Sequence, residues 1–465
     1  MKLLSYKAGI LYSTAGSFLS RFLAVISGVI LAKSLSPDLL GKFFSDQALV
    51  LLGLGFINLG VGQAYRQIVS RNPELRDTFL PPVILIRFSA MLLYFGVLAV
   101  YLYSNGRWST ATVLVVLGTL LLNFVELLQI DLQIFRQYLK ATVLISLKGT
   151  VLFIPAVICY IAVNKYDWLV FSYLITTIAA LAIGWLLVKP VYSSLLNFNY
   201  WNLLKISVPF CASLFAFSFT NYWAITYIRE VLGEYQAGLY SVPLKVYQIT
   251  MILGTSVTGV TLPLYHKLAY SQDFDTFKKV HGRLIKGLFF LGGLIVGICF
   301  FCSEPLVKIL ATKEYLNAAA LFPWIGFGVM FHLLAIPIGN ILESVNRQWW
   351  RVVIQSIAAV VCVLLVVLVV PEYGINGAAW TLFIVDSFLL LGYCIIAKYF
   401  APQALSLTLL LLSCFLLAIA VFIISKLSIS IWWQFILFCL VWELYVIYGL
   451  KFKTEFVDLL KSFKR

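Results

Sequence analysis

The sequence predicts an all-α integral membrane protein with about fourteen transmembrane helices. Of its 465 residues, 62% are hydrophobic and only 11% are charged, whereas soluble proteins carry about 25% charged residues. The apolar residues are gathered into runs that are each long enough for a spanning helix of about 20 residues. These runs use most of the chain and leave no room for a soluble domain. The composition therefore excludes a cytosolic enzyme, a secreted disulfide scaffold, a DNA-binding module and a disordered chain.

The apolar runs follow one another with short connections, and no alternating strand pattern competes with them. The first run comes after a short basic amino-terminal segment and lacks a small-residue cleavage site, so it is expected to be an uncleaved span. In order, the predicted spans are 9–33, 43–65, 80–103, 110–131, 141–163, 168–190, 205–228, 239–265, 283–303, 316–340, 350–371, 374–397, 403–424 and 430–450.

Lysine and arginine residues concentrate on one predicted side of the membrane. With the amino terminus inside, the inner loops and tails hold 22 of the 34 basic residues, the outer loops hold 8, and four lie inside spans. Orientation follows the basic residues of short loops, so both termini are expected in the cytoplasm. This arrangement explains much of the net charge of +15 without nucleic acid as a partner, and the basic side would face anionic membrane lipids.

The cysteine and histidine residues do not indicate a metal or redox site. Cys299 and Cys302 have the spacing of a redox pair, but they lack the polar surroundings and the βαβ pattern of that motif. His266, His281 and His332 are scattered and match no metal-ligand spacing. We therefore predict no metal and no cofactor. The predicted outer loops are too short for the acidic groups of a membrane glycosyltransferase, so an enzyme is not expected.

The chain contains an internal repeat of the connection between a first and a second span. One copy lies at 35–45 and the other at 232–242. The positions that match at an offset of 197 residues are Leu35 with Leu232, Gly41 with Gly238, and Phe43 with Tyr240. Six spans precede the second copy. Because six is an even number, the two halves have the same orientation and form a parallel repeat about the membrane normal.

The repeated turn and the junction Pro371-Glu-Tyr-Gly-Ile-Asn-Gly-Ala-Ala379 resemble motifs of the MOP transporter superfamily. The chain is most similar to its polysaccharide-transporter branch, the Wzx-type flippases. The resemblance extends over essentially the whole architecture. It implies two six-helix lobes, 1–200 and 201–402, in a V around a central cavity. Two added carboxy-terminal helices and a basic cytoplasmic tail follow in 403–465.

The resemblance also implies a function. Members of this branch move an oligosaccharide on undecaprenyl diphosphate, such as an O-antigen unit, from the inner to the outer leaflet of the bacterial inner membrane. A polysaccharide polymerase and chain-length proteins are further implied partners. Two alternatives stay open: a multidrug/ion antiporter of the same superfamily, whose cavity would favour acids, and a lipid-II flippase, which also carries two added helices.

Four basic residues lie inside predicted spans, where each is costly and therefore a candidate functional group. Arg21 lies near the middle of the first span, on a face that also carries Thr14 and Ser17. A guanidinium is suited to grip a diphosphate, although an ion pair with a neighbouring span is the structural alternative. Arg87 and Lys148 lie at similar depths in spans three and five, and with Arg21 they would form an anion-binding cavity.

Lys245 is the fourth cation, near the outer end of span eight, and would form a release-side site. Two acids inside spans are candidates for proton coupling or ion pairing. Glu126 in span four could pair with Arg87 or Arg21. Asp386 in span twelve needs a partner that the sequence does not identify.

Overall fold

The computed structural model describes residues 2–135, 137–162, 165–189, 198–401 and 407–446. Within these ranges the chain forms α-helices and two 3-10 helices, Pro73–Leu75 and Lys313–Leu321, and no strand. The α-helices are α1 Lys2–Ser34, α2 Pro37–Leu52, α3 Leu54–Asn58, α4 Val61–Val69, α5 Arg76–Ser104, α6 Thr110–Ile134, α7 Tyr138–Ile161, α8 Lys165–Val188, α9 Tyr200–Leu232, α10 Glu234–Tyr270, α11 Phe274–Phe301, α12 Ser303–Leu310, α13 Phe322–Ser344, α14 Gln348–Phe400, α15 Leu407–Ser425 and α16 Ile431–Leu444.

The structure confirms the predicted all-α membrane fold. In the part of the chain that it describes, nine helical segments are long and apolar enough to cross a membrane. The other predicted spans fall on α2 to α4, on α10, on the second part of α14, and on α15 and α16. The exact count of fourteen stays a prediction. The end of the last predicted span and the basic tail, 447–465, lie outside the described residues.

Helix α14 contains two predicted spans, 350–371 and 374–397, which the sequence separates at the Pro371 junction. Two helices meet at Gly374, whose φ of 61° and ψ of −146° are not helical. Only glycine adopts this backbone conformation without a steric penalty. The junction motif therefore separates two helices, and a side chain at Gly377 would collide with Val369 from the other side of the junction.

The chain divides into two compact units, Met1–Ser241 and Val242–Arg465. In the first unit, α1 packs against α7, α6 against α8, and α2 against α9. In the second unit, α13 packs against α11 and α14, and α16 packs against α11. The boundary falls within α10. The predicted division into 1–200, 201–402 and 403–465 stays a prediction.

Side-chain caps mark the starts of three described helices, α6, α9 and α11. Ser109 accepts a hydrogen bond from the Thr112 N–H at 3.2 Å and begins α6. Asp273 accepts one from the Thr276 N–H at 3.1 Å and begins α11. The second bond also lowers the pKa of the Asp273 carboxyl, because the N–H donor stabilises the carboxylate. Caps of this kind satisfy N–H groups that the first helical turn leaves without partners.

Candidate functional site

The second predicted span, 43–65, is a broken helix. It forms α2, α3 and α4, with breaks at Gly53 and at Leu59–Gly60. The Gly53 N–H donates to the Val50 carbonyl, and both Leu59 and Gly60 are left-handed, with φ of 46° and 69°. Interrupted helices in transporters often line the substrate site, because their freed backbone groups must face protein or water.

Tyr94 of α5 stabilises the first break. Its hydroxyl donates to the Leu49 carbonyl at 2.8 Å, which satisfies an oxygen that the tightened turn at Gly53 leaves free. The Tyr94 ring also lies directly against Gly53, where a side chain would collide with it. The break thus depends on a glycine in α2–α3 and a tyrosine in α5.

Arg87 stabilises the second break in span two, at Leu59–Gly60, through its contact with the adjacent Asn58. Its side chain is only 3% exposed. The guanidinium donates to the Asn58 side chain and, at 3.0 Å, to the Asn123 carbonyl, and it lies 5.9 Å from the centre of the Phe124 ring. The structure therefore gives Arg87 partners on two other helices of the first unit, α3 and α6. Its predicted part in diphosphate binding stays a prediction, and its contacts favour a positioning role.

Glu126 is half-buried in α6. It lies within electrostatic range of Arg66, Arg87 and Tyr222, but it forms no ion pair within 4.0 Å in the described part of the chain. Arg66 donates instead to Gln133, at 2.9 Å. The predicted pairing of Glu126 with Arg87 is thus a longer-range attraction, and its part in coupling stays a prediction.

Arg21 and Lys148 lie beside the contact between α1 and α7. Gly149 lies against the backbone of Ser20, and Gly16 lies against Thr142. The later contact residue on α1 meets the later contact residue on α7, so the two helices run in the same direction.

This parallel packing brings the two cations to one side of the helix pair. Each residue turns the helix by about 100° in the same sense. Arg21 follows the contact residue Ser20 on α1, and Lys148 precedes the contact residue Gly149 on α7. Because the helices are parallel, the two side chains point to the same side of the pair. Both are half-buried, and Lys148 makes no hydrogen bond or ion pair with any residue that the structure describes. Ser17 is also half-buried on α1, whereas the Thr14 side chain lies outside the described residues.

The repeated turn forms a reciprocal contact between the starts of α2 and α10, which follow α1 and α9. A side chain at Gly41 would collide with the Glu234 carbonyl, and a side chain at Gly238 would collide with the Pro37 carbonyl. At the repeat offset of 197 residues, Pro37 corresponds to Glu234 and Gly41 to Gly238. These four residues form what we call the glycine seam, in which each copy of the repeat makes the same contact with the other.

An ion-pair network lies beside the glycine seam. Arg229 is 5% exposed and pairs with Asp46, which is fully buried. It also donates to the Glu234 carboxylate at 2.7 Å. A second and more exposed pair joins Arg107 to Glu230. The closed seam is therefore held by close backbone packing together with buried charges.

Asp386 finds its partners in the second unit. Its carboxylate accepts a hydrogen bond from the Tyr247 hydroxyl at 2.8 Å, and its other oxygen lies 2.6 Å from His332 Nδ1. The Tyr247 hydroxyl is also 3.0 Å from His332 Nδ1. Asp386 is 2% exposed. Coupling of this cluster to transport stays a prediction.

Lys245 also belongs to the second unit. It is half-buried, and its Nζ lies 3.4 Å from Gln248 Oε1. Its release-side role stays a prediction. Of the four predicted cations, the structure thus brings Arg21 and Lys148 to one side of a helix pair, and it gives Arg87 separate partners.

Among the described residues, no group of three or more His, Cys, Asp or Glu side chains is placed to hold a metal ion. The cysteines are free thiols, including Cys299 and Cys302. His281 is buried and its Nδ1 lies 2.8 Å from the Tyr265 hydroxyl.

Sequence reasoning missed three features of this site. The break in span two could have been found from Gly53, Gly55, Gly60 and Gly62, a density of glycine that is unusual within one span. The Arg229 ion pair and the Asp386 partners have no comparable local signal, because the partners lie far apart in the sequence.

No known family model matches the sequence. A 166-residue segment is 25% identical to the capsular polysaccharide biosynthesis protein CapF of Staphylococcus aureus. That segment covers 36% of this chain and 42% of CapF, so the match extends over less than half of the curated relative.

Several solved structures share the fold of the chain. The lipid II flippase MurJ, in an inward closed conformation, has a TM-score of 0.66 at 18% identity, over 95% of this chain and 99% of MurJ. An inward-facing multidrug resistance MATE family transporter of the MOP superfamily has a TM-score of 0.65 at 12% identity, over 83% and 95%. A MOP superfamily transporter from Pyrococcus furiosus, described as having a binding pocket of reversed polarity, has a TM-score of 0.60 at 11% identity, over 85% and 96%.

Proposed function

Because the chain has the fold of the MOP-superfamily membrane transporters, we propose that it is a flippase for undecaprenyl-diphosphate-linked oligosaccharides. It would move them from the inner to the outer leaflet by alternating access. The partial match to a capsular polysaccharide biosynthesis protein supports a sugar-polymer substrate. The charges of the first unit support an anionic headgroup.

The observation that carries this proposal is the placement of Arg21 and Lys148 on one side of the α1–α7 pair. A diphosphate carries several acceptor oxygens, and charge-assisted bonds from guanidinium and ammonium groups are strong where water is scarce. Lys148 has no hydrogen bond or ion pair among the described residues, so its donors are available to a ligand. A cationic drug would be repelled by the same pair.

The glycine seam supports the gating part of the proposal. With the termini in the cytoplasm, the seam closes the outer end of the first unit. The headgroup would then enter from the inner leaflet while the seam is closed, and its release would require the Asp46–Arg229 pair to separate. A bilayer location in the bacterial inner membrane and cytoplasmic termini belong to this proposal, as do the partner polymerase and chain-length proteins.

The test is binding of undecaprenyl-diphosphate oligosaccharide to the purified protein in nanodiscs. Arg21→Gln and Lys148→Gln should each weaken binding about tenfold or more, since a hydrogen bond to a charged group contributes about 1.5–3 kcal/mol. Lys308→Gln is the matched control, because Lys308 is exposed and pairs only across one helical turn with Glu304. In a proteoliposome flipping assay, Arg21→Gln and Lys148→Gln should likewise reduce the rate of transport more than Lys308→Gln does.

Two results would redirect the assignment. Tight binding of a cationic dye with no response to the lipid would favour the multidrug/ion antiporter, and Glu126, which has no ion pair among the described residues, would then be the acid to replace. Equal binding of lipid II and of other lipid-linked oligosaccharides would extend the substrate to lipid II, in keeping with the full-length likeness to MurJ.

A further inference from the structure

An apolar groove of about 610 Å³ runs along the first unit between α3, α5 and α9. Its size is within the range of about 300–1,000 Å³ that small-molecule sites occupy. The residues that define its length and walls are Phe56, Leu85, Leu93, Val97, Tyr200 and Leu204. Leu93 is 74% exposed and Val97 is 58% exposed, so the groove opens along one flank.

The helix break described above creates this groove. Gly53 lets the Tyr94 ring lie against the backbone, and Phe56 of the short α3 stacks with Tyr94 at 6.3 Å and meets Phe215 edge-on at 4.7 Å. The breaks shorten α3 to five residues, which leaves a channel between α5 and α9. The floor of the channel is therefore aromatic.

The groove is long and narrow. From Leu85 to Val97 along α5 it extends about 18 Å, at a rise of about 1.5 Å per residue. This is more than half of the hydrocarbon thickness of about 30 Å. A groove of this shape fits one extended hydrocarbon chain better than a compact ligand.

The two ends of the groove differ in charge. Tyr200 and Leu204 lie at the start of α9, and Lys205 is exposed beside them with its Nζ 5.6 Å from the centre of the Trp201 ring. The amino terminus of α9 adds partial positive charge there. At the other end, α5 continues from Val97 to its last residue without a basic side chain. The groove thus matches a lipid with an apolar chain and an anionic end.

We propose that this groove binds the prenyl tail of the lipid-linked substrate, an inference that rests on the proposed function. The groove has room for a single chain, and a prenyl carrier has one chain, whereas a phospholipid has two. Lys205 would meet the diphosphate while the lipid enters from the inner leaflet, before the headgroup reaches Arg21 and Lys148. Ile86 lines the groove and the adjacent Arg87 is buried with its guanidinium toward α3 and α6, so α5 separates the tail from the buried polar contacts.

The experiment compares two substrates with the same oligosaccharide diphosphate, one on an undecaprenyl chain and one on a geranyl chain. The wild-type protein should bind the long-chain form about tenfold or more tightly, because burial of apolar surface adds affinity. Ala90 lines the groove. Ala90→Trp should fill the groove and reduce the ratio of long-chain to short-chain affinity to about one. Leu92→Trp is the control, since Leu92 is 53% exposed on the same helix outside the groove.

Each outcome decides between the proposals. A long-to-short ratio that is unchanged in Ala90→Trp would overturn the tail site and leave the flippase intact. Failure of the wild-type protein to bind either substrate would overturn both. As a second measurement, a photoreactive benzoylphenylalanine in place of Leu93 should crosslink to the undecaprenyl carrier. Crosslinking to phospholipid alone would overturn the tail site even if Ala90→Trp fails to fold.

Discussion

Arg229 and Lys148 are both cations within helices of the first unit, but their surroundings differ. Arg229 is 5% exposed and is bound by the carboxylates of Asp46 and Glu234. Lys148 is half-buried and has no hydrogen bond or ion pair in the described part of the chain. A charge taken out of water needs partners to remain charged. The comparison teaches that the set of partners, more than depth in a span, separates a structural cation from one available to a ligand.

The largest effect on stability is expected for Arg229→Met. Removing one partner of a buried pair leaves Asp46 charged and unpaired, which costs about 3–5 kcal/mol. Thermal or denaturant unfolding in detergent measures the loss. The control is Arg107→Met, whose pair with Glu230 is more exposed and should cost about 1 kcal/mol or less. Equal losses in the two variants would contradict the structural role assigned to Arg229.

A smaller effect is expected for Gly238→Ala. The added methyl group would collide with the Pro37 carbonyl, and overpacking of this kind costs about 1–3 kcal/mol. Since the collision arises only when the seam is closed, the variant should also flip substrate more slowly in proteoliposomes. Gly96→Ala is the control, because no atom lies within 4 Å of a side chain there. Wild-type stability and transport in Gly238→Ala would show that the seam can relax freely.

Arg87→Met should destabilise the first unit by about 1–3 kcal/mol, because it leaves the Asn58 side chain and the Asn123 carbonyl without a donor. Arg66→Met, at an exposed position, is the matched control. If folded Arg87→Met binds the substrate with near wild-type affinity, Arg87 is a structural cation, in contrast to Lys148. A loss of affinity without a loss of stability would instead return Arg87 to the ligand-binding cations.

The smallest effect on stability is expected for Lys148→Met. Lys148 has no partner to lose among the described residues, so the free energy of unfolding should change by no more than about 0.5 kcal/mol. Binding of the anionic lipid should still fall about tenfold. Unfolding and binding are measured on the same preparation. A large loss of stability would mean that Lys148 has a structural contact and would remove the contrast with Arg229.

The sequence predicted the helical membrane fold well, because this fold depends on local pattern. Runs of about 20 apolar residues give the helices directly. The match of Gly41 with Gly238 proved to be a physical contact, since each glycine meets a backbone carbonyl of the other copy. The prediction of a continuous span at 43–65 was incomplete, because apolar periodicity continues through Gly53 and Gly60, where the backbone does not.

The partners of charged residues could not be predicted for a different reason. Asp386 binds Tyr247 and His332, which come from two other helices, and Arg229 binds Asp46 from 183 residues earlier. Such pairs depend on which helices pack and in which rotation. The apolar pattern of a buried span gives little information about either, since most of its faces are apolar.

The glycine seam also bears on how the chain arose. A contact in which residue i of one copy meets residue j of the other, and j in turn meets i, is the arrangement found on the two-fold axis of a homodimer. Pro37 and Gly41 meet Glu234 and Gly238 in this way. An ancestral half-length chain that paired with itself would have carried this interface before gene duplication joined its two subunits. Each of the two glycines would then be inherited from a single ancestral glycine that met a carbonyl of the second subunit.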